Sequence, residues 1–87
     1  MNSRKIVRNA ILDTVKNQIR DRTPPETKET FDRLVAEGLS PAEARRLIGC
    51  VVAGEIFDVL QENQPYNEER YIKALRKLPE LPDELQE

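Results

Sequence analysis

The sequence predicts an all-α fold: a compact bundle of four helices with a long central third helix. Three observations carry this. Apolar residues recur at spacings of three and four almost throughout the chain, which is the period of a helix with one buried face. No stretch alternates at a period of two, as a half-buried strand would. The breaker-rich stretches "DRTPPE", "EGLSP" and "ENQP" fall between the periodic segments rather than inside them.

The first helix is expected from about Arg4 to Arg20, with Val7, Ala10, Ile11, Val15 and Ile19 on one face. Gln18 falls inside that face, and Lys5, Asn9, Lys16 and Arg20 lie opposite. Pro24 and Pro25 cannot continue this helix but suit the first turn of the next. Thr23 is the expected N-cap there, and Glu26 and Glu29 sit near the positive end of the dipole. The second helix presents Thr27, Phe31, Leu34 and Val35 on a narrow face and stops at Gly38, a good left-handed C-cap.

"SPAE" reads as a capping box: Ser40 caps, Pro41 takes the first helical position and Glu43 reaches back to the Ser40 amide. The third helix then runs to about Glu62. Its wide apolar arc of Ala44, Leu47, Ile48, Val51, Val52, Ile56, Val59 and Leu60 suits a central helix touched from two sides, and Gly49 and Gly54 permit close approach. The fourth helix starts at an Asn67 cap and shows Tyr71, Ile72, Ala74, Leu75 and Leu78 on one side. Residues 1–78 thus form a single helical domain. Residues 79–87 read as an acidic, proline-containing flexible tail whose start Leu81 can pin.

At 87 residues the chain is near the lower end of what buries an independent core, and it has no tryptophan. Small stability, or help from self-association, is expected. Charged residues make up 34% of the chain, yet the net charge is −2, so no global field draws nucleic acid or membrane. The charge is uneven: the first segment is basic and the tail acidic. A lone Cys50 suits a reducing compartment, and neither a membrane span nor a signal peptide is legible, so the expected location is cytoplasmic. The absence of histidine removes the commonest general base and metal ligand. No catalytic residue, cofactor or metal is expected.

"RLVAEGLSPAEARRLIG", residues 33–49, raises the question of a helix-turn-helix. Gly38, Ala44 and Leu47 fit that pattern loosely. Arg45 and Arg46 could touch phosphate or guanine, with Arg8, Lys16 and Arg20 of the first helix as further candidate contacts. Against this, Glu43 opposes the arginines, the third helix is about twice a usual recognition helix, and no aromatic residue lies near the basic face to stack bases. The same words resemble ubiquitin-associated domains over under a fifth of the chain, a likeness of cap chemistry, since those domains have a far shorter second helix.

Glu55 falls among Ile48, Val51 and Val59 in the middle of the apolar arc. A buried carboxylate needs a partner. Gln18, equally misplaced in the first helix, the Tyr71 hydroxyl and the Arg70 guanidinium are the candidates, so Gln18, Glu55, Arg70 and Tyr71 form an expected buried polar network that fixes helix register. Cys50 reads as a small apolar filler, and Phe31, Phe57, Tyr66 and Tyr71 are spaced as core anchors.

Over most of the chain, "VKNQIRDRTPPETKETFDRLVAEGLSPAEARRLIGCVVAGEIFDVL", "PYNEERYIKAL" and "LP" resemble a family of small bacterial proteins catalogued as a domain of unknown function. The phrases "PPE", "RL-x-x-x-G", "EA", "E-I" and "RY" carry the likeness. Several relatives have H-x-x-x-H on the first helix and an H-E-x-x-H-like pattern on the third. The corresponding positions here are Arg8 and Leu12, then Ala42, Glu43 and Arg46, so the resemblance implies that any such metal site lacks its ligands in this chain. The functional expectation is a non-enzymatic protein working through protein contacts or self-association, a homodimer among the forms this could take. The alternative is a nucleic-acid binder using Arg45 and Arg46 or the basic face of the first helix.

Overall fold

The computed structural model describes residues 3–63 and 65–81 and contains four helices: α1 (Ser3–Asp21), α2 (Pro25–Ala36), α3 (Pro41–Glu62) and α4 (Glu68–Lys77). The fold is all-α, no strand occurs among the described residues, and α3 is the longest element.

Helix ends follow from local chemistry. Gly38 takes φ +107° just after α2, its N–H donates to the Val35 carbonyl at 3.0 Å, and the Leu39 N–H donates to the Leu34 carbonyl at 3.1 Å. This is a Schellman motif, and the half-buried Leu39 supplies its apolar contact with the core. Arg22 does the same after α1 at φ 55°, with the Thr23 N–H donating to the Gln18 carbonyl at 3.2 Å. Ser40 caps α3, its Oγ accepting from the Glu43 N–H at 3.1 Å, and Asn67 Oδ1 caps α4 by accepting from the Arg70 N–H at 3.1 Å.

Two cap expectations are corrected. Thr23 is not the cap of α2: Pro24 occupies that place, its carbonyl accepting from the Thr27 N–H at 3.1 Å, while the Thr23 hydroxyl donates to the Asp21 carbonyl. The helix begins one residue later than expected, at Pro25. Nor does the Glu43 carboxylate close the capping box. It instead accepts from Arg46 Nη2 at 2.6 Å and Nε at 3.1 Å, because a guanidinium one turn on is a stronger partner than an amide.

α2 and α3 each pack against all three other helices, whereas α1 and α4 meet only weakly. Ile11 and Leu12 lie over Gly49, and Gln18 reaches the level of Val52 and Glu55, so α1 and α3 advance in the same direction. The core is Val15, Leu34, Ala44, Leu47, Ile48, Val51, Val52, Tyr71, Leu75 and Leu78. Fully buried Leu34, Ile48 and Leu75 each contribute about 2 kcal/mol by leaving water. Leu81 packs half-buried against this core, and the remainder of the expected acidic tail, 82–87, lies outside the described residues.

The apolar faces are only partly used. Val7, Ala10, Ile56 and Leu60, expected in the core, are exposed, as are Phe57 and Tyr66, expected as anchors. Lengths explain the α3 residues: α3 spans about 33 Å and α4 about 15 Å. The first turn of α4 meets α3 at Glu55, so the last turns of α3 project beyond its cover.

Candidate functional site

Two regions carry polar or accessible chemistry. The first lies where α4 closes over the other three helices. Glu55, 8% exposed, receives the Arg70 guanidinium in a bidentate pair: Nε donates to Oε2 at 2.8 Å and Nη2 to Oε1 at 3.1 Å. Asp58 stands 4.0 Å from Arg70 Nε, one turn along α3. The hydrogen bond from the guanidinium to Glu55 holds the Arg70 pKa above even its ordinary high value. Both Glu55 oxygens are thereby engaged.

Gln18 and Tyr71 form a separate cluster. The Tyr71 hydroxyl donates to Gln18 Oε1 at 2.8 Å, and the Thr27 hydroxyl donates to the same oxygen at 2.9 Å. One amide oxygen has two lone pairs, so both donors are satisfied, and the 3.4 Å Thr27–Tyr71 separation is the weaker third side. Burial pushes the Tyr71 phenol up to about 12, with the Thr27 hydroxyl offsetting part of that. The four expected network residues thus divide into Glu55–Arg70 and Gln18–Tyr71. Thr27 and Asp58 were not anticipated as members. A threonine in the middle of the α2 apolar stripe was the signal for the first; nothing in the sequence marked the second.

Beside this network a cavity of about 250 Å³ is lined by Val52, Ile56, Val59, Leu60 and Tyr66 together with Gln18, Glu55 and Tyr71. Tyr66 and Tyr71 meet at a tilted 6.3 Å between ring centroids.

The second region is a groove of about 880 Å³ between α1, from Ser3 to Lys16, and the start of α3, to Ala53. Its floor is apolar: Val7, Ile11, Leu12, Gly49, Cys50 and Ala53. Its rim brings together Arg8, Lys16, Arg45 and Arg46, four of the five candidate nucleic-acid contacts. Arg20 is elsewhere, holding the neighbouring Asp21 at 2.8 Å. Arg46 is engaged by Glu43, and the hydrogen bond from Arg46 keeps the Glu43 carboxyl below its usual range. Cys50 is half-buried in the groove floor. Among the described residues no group of three or more His, Cys, Asp or Glu side chains is arranged to hold a metal, and no helix is long and apolar enough to cross a membrane.

No family model matches the sequence, no curated protein matches it, and no solved structure matches the chain.

Proposed function

We propose that this chain is a cytoplasmic, non-enzymatic protein that works through contacts with other protein surfaces, self-association among them. One observation carries the reading: Ile56, Phe57, Leu60 and Tyr66 leave 46, 57, 76 and 55% of their surface exposed within about three turns of chain. An apolar concentration of this kind on so small a domain marks a surface that gains by being covered. Glu55 supports the same reading from the other side. The carboxylate best placed for acid–base work has both oxygens committed to Arg70, and the resemblance to small bacterial proteins of unknown function supplies no activity to set against this.

Light scattering over a concentration series tests it. Apparent mass is expected to rise with concentration and to fall back to the monomer value in Leu60→Glu and Phe57→Glu variants. A strict monomer up to the solubility limit, with both variants unchanged, would sink self-association as the form the contacts take.

Binding of nucleic acid is the second reading, favoured by the convergence of Arg8, Lys16, Arg45 and Arg46 on one groove. Steep salt dependence of DNA or RNA binding would mark it. The apolar floor and the Glu43 carboxylate within the same groove weigh against it.

A further inference from the structure

The groove between α1 and α3 is a different surface from the projecting end of α3, and its chemistry names a class of occupant. We infer that it receives an acidic amphipathic helix from a partner protein; this rests on the protein-contact reading above and specifies one such contact.

Three features point the same way. The floor is apolar and made partly of small residues, Gly49, Cys50 and Ala53, so an incoming helix can approach closely. From Ser3 to Lys16 along α1 and Ala42 to Ala53 along α3, the groove is about 16–20 Å long, three to four helical turns. Its rim is cationic, and among the described residues Arg8, Lys16 and Arg45 form no ion pair with an acid of the chain. Arg8 and Lys16 stand about 12 Å apart along α1. Charges spread over that distance match carboxylates on successive turns of a helix better than a single anionic headgroup. An apolar stripe laid on the floor with carboxylates facing the rim satisfies both sets of groups at once. Nucleic acid would satisfy the rim alone. It would set a polar backbone over Val7 and Ile11, where no aromatic side chain is available for stacking.

The test uses the full chain and two fluorescein-labelled 14-residue peptides that share one leucine face, at positions i, i+3, i+4 and i+7. One carries glutamates on the remaining positions and the other lysines. Anisotropy titration is expected to show the glutamate peptide binding at least tenfold more tightly, with the difference shrinking as salt rises. The double variant Arg8→Glu/Lys16→Glu, at exposed positions that leave the core alone, is expected to reverse the preference. Ala53→Glu is expected to abolish binding, and Leu60→Glu to leave it unchanged. Equal binding of the two peptides, or binding indifferent to the α1 double variant, would overturn the inference. So would displacement of the glutamate peptide by a 16-base-pair duplex at lower concentration than by unlabelled peptide, which would assign the groove to nucleic acid. Concentration-dependent mass with no peptide binding would remove the groove proposal and leave self-association standing.

Discussion

Val7 and Val15 belong to the same apolar arc of one helix, two turns apart, yet Val7 is 57% exposed and Val15 is fully buried. Beside Val15, α2 joins α3 in closing over α1, and one turn further on the Gln18–Thr27–Tyr71 cluster ties in α4. Beside Val7 there is α3 and an open groove. Residue type is identical, so the difference comes from how many helices reach each place. The enclosed stretch of α1 buries polar groups and satisfies each one, while apolar groups stay accessible in the groove at Val7 and on the last turns of α3 at Ile56 and Leu60. A small chain of this kind does not distribute its hydrophobicity evenly, and its accessible apolar surface lies where the shorter helices run out.

The widest test of this contrast sets a closed-side residue against an open-side one. Leu34→Ala should cost about 3–4 kcal/mol in chemical denaturation, since Leu34 is fully enclosed, whereas Val7→Ala should stay within about 0.5 kcal/mol. Comparable losses at the two sites would show that the groove is closed in solution and erase the distinction.

The next effect reads the closed end through pH. Tyr71 keeps its proton in the folded state up to about 12, against 10.0 for an ordinary phenol. Between those values the unfolded chain has lost the proton that the folded chain retains, so the stabilisation is complete below pH 10 and falls away as pH rises toward 12. The loss should be roughly 2–3 kcal/mol, measured as the shift in urea midpoint across that window. Tyr71→Phe should remove most of this slope and leave a smaller one from Tyr66, whose phenol burial also raises; a slope undiminished in the variant would place the titrating group elsewhere.

The smallest effect concerns the entry to α3, on the groove side. Ser40→Ala should cost about 1 kcal/mol through loss of the cap on the Glu43 amide. Thr23→Ala, removing a hydroxyl whose bond is to the exposed Asp21 carbonyl at the end of α1, should cost less than that in the same thermal melt.

Much of the architecture was legible in the chain. Period, proline and glycine placement marked four helices, and the Gly38–Leu39–Ser40–Pro41 corner formed as its residue types require. Gln18 and Glu55 announced partners because a polar group in an apolar face has to find one, and Arg70 and Tyr71 supplied them. What stayed illegible depends on reach. A helical wheel shows what a helix could bury but not which neighbour extends far enough to bury it, and Ile56, Phe57, Leu60 and Tyr66 were misplaced for that reason. The return leg of the capping box failed for a local reason instead: Arg46, one turn on along the same helix, takes the Glu43 carboxylate, a competitor the motif leaves out. The assembly of Arg8 and Lys16 with Arg45 and Arg46 required α1 and α3 to run in the same direction, which no local pattern states.

The way α4 is held has a dynamic consequence. Arg70 fastens its first turn to Glu55, and Arg33 of α2 donates to the Leu75 carbonyl near its last turn at 3.2 Å. Tyr71 lies between these two clasps, and its side chain and that of Leu75 are both within the core. A helix of ten residues is too short to persist alone, so once it leaves this packing the whole segment unravels rather than fraying at one end. Its amide protons should therefore exchange with solvent as a single cooperative unit, and the opening of α4 would uncover Gln18 and Thr27 in the same event.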